Sequence, residues 1–131
     1  MSIGYHGFAK HFSEDDTFVY YAYSGANFND ETRDKNADYY YDGRFRINKE
    51  ILKRIGDRPK KGYPYIDWTH IAIEEDFLII DRECQNAFYK AGSTVYPLDY
   101  IIYRLLTNIF KSMYETKDEV MEFPRAAAFV Q

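Results

Sequence analysis

Apolar and polar residues alternate over the first part of this chain and gather at helical spacing near its end. Thr17 to Ser24 (Thr-Phe-Val-Tyr-Tyr-Ala-Tyr-Ser) is dominated by β-branched and aromatic residues and predicts a strand. Aromatics fall on both of its faces, which predicts a place inside a sheet rather than at an open edge. Ile3 to Phe12 is also extended in character, with Ile3, Tyr5 and Ala9 on one face and His6, Phe8 and Phe12 toward the other. The polar run Ser13-Glu14-Asp15-Asp16 predicts a turn that joins the two as a hairpin.

Gly25 to Ala37 reads as a long polar loop, a length that is uncommon unless the loop is functional or disordered. Tyr39-Tyr40-Tyr41 leads into Asp42-Gly43, a hairpin or turn signal, and Arg44-Phe45-Arg46-Ile47 then alternates polar and apolar. Asn48 is placed to cap a short helix, Lys49 to Ile55, with Gly56 expected at a left-handed terminus. Ile47 and Leu52 stand where a hydrophobic staple needs them.

Two patterns compete between Tyr65 and Ala91. Trp68, Ile71 and Ala72 suit a short helix followed by a buried strand at Phe77-Leu78-Ile79-Ile80, whereas Phe77, Ile80, Cys84 and Phe88 suit helical spacing. The helix-then-strand reading is favoured. The last pattern is unmistakable: Leu98, Ile101, Ile102, Leu105, Leu106, Ile109, Phe110 and Met113 form one stripe on a helix running from Pro97 to about Tyr114. Val120 to Val130, interrupted by Pro124, predicts a terminal strand or extended arm. Together these elements predict one α+β domain over residues 1–131, with a mainly antiparallel sheet packed against a long C-terminal helix and one or two short helices.

Composition changes this picture at one point. The hydrophobic fraction of 46% is ordinary, but the aromatic fraction of 19% is high, and 14 Tyr and 10 Phe supply nearly all of it. Tyrosine packs as a hydrophobe while its hydroxyl wants a partner, so some of these rings are expected at the surface or at the core boundary. The formal net charge of −4 argues against direct binding to nucleic acid, which needs a basic footprint. Lys53 and Arg54 with Arg58-Pro59-Lys60-Lys61 form the one basic cluster in the sequence and read as a solvated loop. With one cysteine, Cys84, no internal disulfide forms, which suits a reducing compartment. Neither a secretory signal nor a run approaching ~18 apolar residues is visible, so a cytoplasmic protein without a membrane span is expected.

Candidate chemistry is sparse. His6 and His11 are five residues apart, on opposite faces of a strand, and His70 is remote in sequence, so no metal site is expected. Cys84 lies in no known nucleophile context and reads as a small buried hydrophobe. Carboxylates abound, but glycosidase-type chemistry needs two of them roughly 5–10 Å apart across a cleft, which sequence does not reveal. Glycine-rich phosphate loops are absent. No catalytic residue and no cofactor is therefore assigned, and an enzyme is not expected.

The tyrosine and acid combination is more informative. Tyr20, Tyr21, Tyr23, Tyr39, Tyr40 and Tyr41 lie close in sequence to Asp30, Asp34, Asp38 and Asp42. Tyrosines make good binding anchors, and carboxylates around them steer a basic partner. The expected partner-binding residues are Asp30, Glu31, Asp34, Asp38, Tyr39, Tyr40 and Asp42, with Asp15, Asp16, Glu74, Glu75 and Asp76 in reserve. Tyr21 and Tyr23, mid-strand, are expected in the core.

Asp42-Gly43-Arg44-Phe45-Arg46-Ile47-Asn48-Lys49-Glu50-Ile51-Leu52 also carries a resemblance, as does Leu98 to Phe110 followed by Met113-Tyr114-Glu115 and Phe123-Pro124. These stretches resemble small immunity proteins of bacterial polymorphic or contact-dependent toxin systems. The resemblance implies a protein that neutralises a cognate toxin domain, often a basic nuclease, by stoichiometric binding. The matching positions are mostly structural, so it transfers no functional residue. Two other functions remain open on the sequence. One is a small enzyme with a carboxylate- and tyrosine-lined cleft acting on a sugar or nucleotide. The other is a self-associating accessory subunit.

Overall fold

The computed structural model describes residues 4–57, 66–87, 98–115 and 122–130. Among these residues five strands form one sheet in the order β4-β3-β2-β1-β5, and every neighbouring pair is antiparallel. The strands are β1 (Tyr5–Glu14), β2 (Phe18–Asn27), β3 (Gly43–Asn48), β4 (Leu78–Arg82) and β5 (Ala126–Val130). Among the described residues three helices, α1 (Glu50–Gly56), α2 (Trp68–Glu74) and α3 (Tyr100–Glu115), complete a single α+β layer pair. Among the described residues no helix is long and apolar enough to cross a membrane.

β1 and β2 form the expected hairpin. Its turn is held by Asp15, whose Oδ1 accepts from the amides of Thr17 (2.8 Å) and Phe18 (2.7 Å). The register slips between His11 and Ser13, where Phe12 is the extra residue of a bulge. β2 lies at the centre of the sheet, as its two aromatic faces require.

The face toward α3 is the core. Val19, Tyr21 and Tyr23 of β2 and Phe45 and Ile47 of β3 bury there against Ile101, Ile102, Leu105, Leu106, Ile109, Phe110 and Met113. Each fully buried side chain of this kind contributes about 1.5–3 kcal/mol of transfer free energy. Gly7 and Gly25 stand opposite each other in register and leave the slot that Ile101 fills. A Cβ on Gly25 would overlap Ile101, and one on Gly7 would come within 2.8 Å of its Cγ2. Asn108 of α3 donates to the Ala128 carbonyl (2.7 Å), tying the helix to the edge strand β5.

Several local expectations are corrected. Gly56 is the last residue of α1 and is not left-handed; the Asp57 amide closes the helix end on the carbonyls of Lys53 and Ile55. Asn48 does accept from the Glu50 amide (2.9 Å), although the residue in the capping position is Lys49. The left-handed residue of the Tyr-Asp-Gly stretch is Tyr41 (φ 53°), while Gly43 opens β3 beneath the Tyr23 ring, where a Cβ has no room. Phe77-Leu78-Ile79-Ile80 is partly buried rather than buried, because β4 is an edge strand. α3 begins at Tyr100, with Asp99 accepting from the Ile101 amide (3.0 Å), later than the Pro97 start expected; Pro97 itself lies outside the described residues. So do the basic residues 58–61 and Phe88.

Candidate functional site

The polar loop between β2 and β3 is folded around one buried carboxylate. Asp38, 5% exposed, receives Arg33 Nε on Oδ1 and Arg33 Nη2 on Oδ2, each at 3.1 Å, and Asn86 Nδ2 on Oδ1 at 3.0 Å. Asn86 also donates to the Asp34 carbonyl (2.8 Å) and accepts from its amide (3.1 Å). Asp34 Oδ1 accepts from the Asn36 amide (2.9 Å) and caps the short 3-10 turn Lys35–Ala37. The Asp38 carbonyl meets His6 Nε2 at 3.3 Å, and Arg33 lies over the Phe28 ring at 4.7 Å. Two planar hydrogen bonds from one guanidinium to one carboxylate fix orientation as well as distance.

The residues expected to face a partner divide on this frame. Tyr39 and Tyr40 are 64% and 76% exposed, and Asp30 and Glu31 are exposed beside them in the same loop. Hydrogen bonds from the Thr32 hydroxyl and amide hold the Asp30 carboxyl below the usual carboxylate range. Asp38 is corrected: it is an internal strut, not a surface contact. Asp34 and Asp42 are half-buried and engaged, Asp34 in the cap and Asp42 accepting from the Gln85 amide on Oδ2 (2.8 Å). Asp30, Thr32, Arg33, Asp34, Gln85 and Asn86 line an open depression of about 340 Å³. Of the reserve acids, Asp15 holds the hairpin turn, Glu74 pairs with His70 (3.0 Å), and Glu75 pairs with Arg54.

Sequence reasoning missed the outer face of the sheet, opposite α3. Strand alternation sends His6, Phe8, Lys10 and Phe12 of β1, Phe18 and Tyr20 of β2, and Arg44 and Arg46 of β3 to this side. The Tyr39 ring packs on His6 (4.9 Å between centroids) and on Phe8 (5.6 Å), which joins the loop to the sheet. Farther along the sheet, Tyr20 lies between Phe12 and Phe18, 6.2 Å from each ring centre. Phe12, raised by the bulge, is 51% exposed. The signal was available in the alternation of aromatic and basic residues, but only strand pairing brings β1, β2 and β3 together in this register.

Cys84, His6 and His11 each sit among structural neighbours. Cys84 is buried, its Sγ 3.8 Å from Asp99 Oδ2 and its amide donating to Tyr23 OH (2.8 Å). Burial first, and then the Asp99 charge, pushes its thiol up, away from the reactive thiolate. His6 is enclosed by Phe8, Phe28 and Tyr39, and His11 lies 3.4 Å from Glu14. Among the described residues no three His, Cys, Asp or Glu side chains converge as a metal ligand set would. The chain matches no protein-family model, no curated protein and no solved structure.

Proposed function

We propose that this chain is a protein-binding module of the immunity or inhibitor type, which neutralises a cognate bacterial toxin domain by stoichiometric binding. The observation that carries this reading is the pair Tyr39 and Tyr40, two adjacent rings exposed to solvent on a loop whose interior is pinned by Asp38, Arg33 and Asn86. A large ring held ready loses little conformational entropy on binding, which is why tyrosines dominate hot spots. Asp30 and Glu31 supply the negative charge that meets the phosphate-binding cations of a nuclease cleft. The acidic part of the surface is thus narrower than the run of acids in the sequence.

The test is to look for a toxin gene beside this one, co-express the chain with that toxin's terminal domain and titrate the two by calorimetry. A one-to-one complex that suppresses toxin activity is expected. Tyr40→Ala should weaken it by at least about tenfold without altering the circular dichroism spectrum. Asp38→Ala should weaken it as well, through the loop, with faster amide exchange over residues 28–42. A wild-type chain that neither binds nor protects sinks the proposal.

A further inference from the structure

Three cations on the outer face of the sheet each lie over an aromatic ring. Lys10 Nζ is 4.5 Å from the centre of Tyr41, the Arg44 guanidinium 5.2 Å from that of Phe12, and the Arg46 guanidinium 4.6 Å from that of Phe18. Arg44 is further fixed by donating through Nη1 to the carbonyls of Tyr41 and Gly43. Two carboxylates lie close to this patch, Asp15, which accepts from Tyr20 OH (2.7 Å), and Asp81, 3.4 Å from Arg46 Nε. On a chain with net charge −4, these three cations outnumber the two nearby carboxylates, among rings of which Phe12 is exposed and Phe18 and Tyr41 are partly exposed.

We infer that this face is the second half of the partner interface and takes a protein surface that bears carboxylates. The inference rests on the protein-binding reading above and adds the sign of the partner's charge at this end. Arginine and aromatic side chains together have the composition of interface hot spots. Arg44 spends only Nη1 on the protein's own carbonyls and keeps Nε and Nη2 for a partner's carboxylate, whereas Arg46 already has Asp81 beside Nε and offers its remaining N–H groups. Stacked nucleic-acid bases, by contrast, need bare ring faces, and on Phe12, Phe18 and Tyr41 one face is covered by the protein's own cation. The surface is therefore bipolar. Its loop end carries Asp30 and Glu31, its sheet end Lys10, Arg44 and Arg46, and a complementary partner reverses that order.

Fluorescence anisotropy at low salt, using labelled poly-L-glutamate and labelled oligothymidylate against the full chain, tests this. Poly-L-glutamate should bind, and more weakly as salt rises. A Lys10→Gln, Arg46→Gln double variant should lose about tenfold in affinity with an unchanged circular dichroism spectrum. Asp81→Asn, which removes a competing carboxylate from Arg46, should tighten binding by roughly twofold and serves if the double variant fails to fold. Absence of poly-L-glutamate binding overturns the inference, as does binding that these substitutions leave unchanged. Tighter binding of oligothymidylate than of poly-L-glutamate also overturns it and makes the face a nucleic-acid surface. Binding of poly-L-glutamate without a complex with the adjacent toxin domain leaves the inference standing and sinks the immunity reading alone.

Discussion

On the side of the sheet facing α3, Tyr23 is fully buried and its hydroxyl donates to Asp99 (2.9 Å) while accepting from the Cys84 amide. On the other side Tyr20, three residues earlier on the same strand, lies partly exposed in a row with Phe12 and Phe18, and its hydroxyl reaches Asp15 at the hairpin turn. The two faces use the same residue type under different rules. Inside, each phenol oxygen must find a partner, because an unmet buried hydroxyl is expensive; Tyr21 meets the need by donating to the Pro124 carbonyl (2.6 Å). Outside, the Tyr20 hydroxyl is met by a surface carboxylate at the hairpin turn, and cations lie over the Phe12 and Phe18 rings. The inner face is thus organised by packing and the outer face by exposure, and the outer face is where a partner has something to gain.

Truncation at the inner face should have the largest effect. Leu105→Ala, at the centre of the α3 stripe, should lower unfolding free energy by about 2–5 kcal/mol in urea denaturation. A loss under about 1 kcal/mol would mean that α3 is not the packed wall of the core. Tyr23→Phe should cost less, about 1–3 kcal/mol, because it keeps the ring and removes one donor to Asp99 and one acceptor for the Cys84 amide. The same tyrosine sets an alkaline limit. Burial, reinforced by the Asp99 charge, raises the Tyr23 phenol above its ordinary value, and burial does the same for Tyr21. Their contribution is full below the unfolded phenol value of about 10 and is lost as pH rises beyond it. Stability followed from about pH 8 to about pH 11 should fall, and fall less steeply in Tyr23→Phe. Phe12→Ala should have the smallest effect, under about 1 kcal/mol, although it removes a larger side chain than Leu105→Ala. Its consequence should appear in weaker poly-L-glutamate binding. A large stability loss there would erase the contrast between the faces.

The elements themselves were largely legible. The apolar stripe of α3, the aromatic strand β2 and the hairpin of β1 and β2 follow from period and composition, which are local properties of the chain. The competing patterns between Tyr65 and Ala91 resolve, over the described residues 66–87, as α2 and β4, since Asp67 caps the helix on the His70 amide and β4 pairs with β3. Gly56 misled because a glycine after a helical pattern permits a left-handed end without requiring one. The proposed binding surface was legible only in part. Tyr39 and Tyr40 stood out as an aromatic run within a polar segment and do reach solvent.

The sequence by itself determined that strands of aromatic and β-branched residues must be covered on one side by an amphipathic helix. It also determined that there are more tyrosines than one small core can hide. Tertiary structure alone decided which rings are hidden and which acids are available. Asp38 belongs to a polar segment and precedes two exposed tyrosines, yet it lies inside because Asn86, 48 residues away, and Arg33 converge on it. Lys10, Arg44 and Arg46 are scattered through an acidic sequence, yet they share one face because antiparallel pairing places Lys10 and Arg44 both opposite Ala22, with Arg46 opposite Tyr20. Charge and exposure belong to surfaces, and a surface is assembled from residues that only folding brings together.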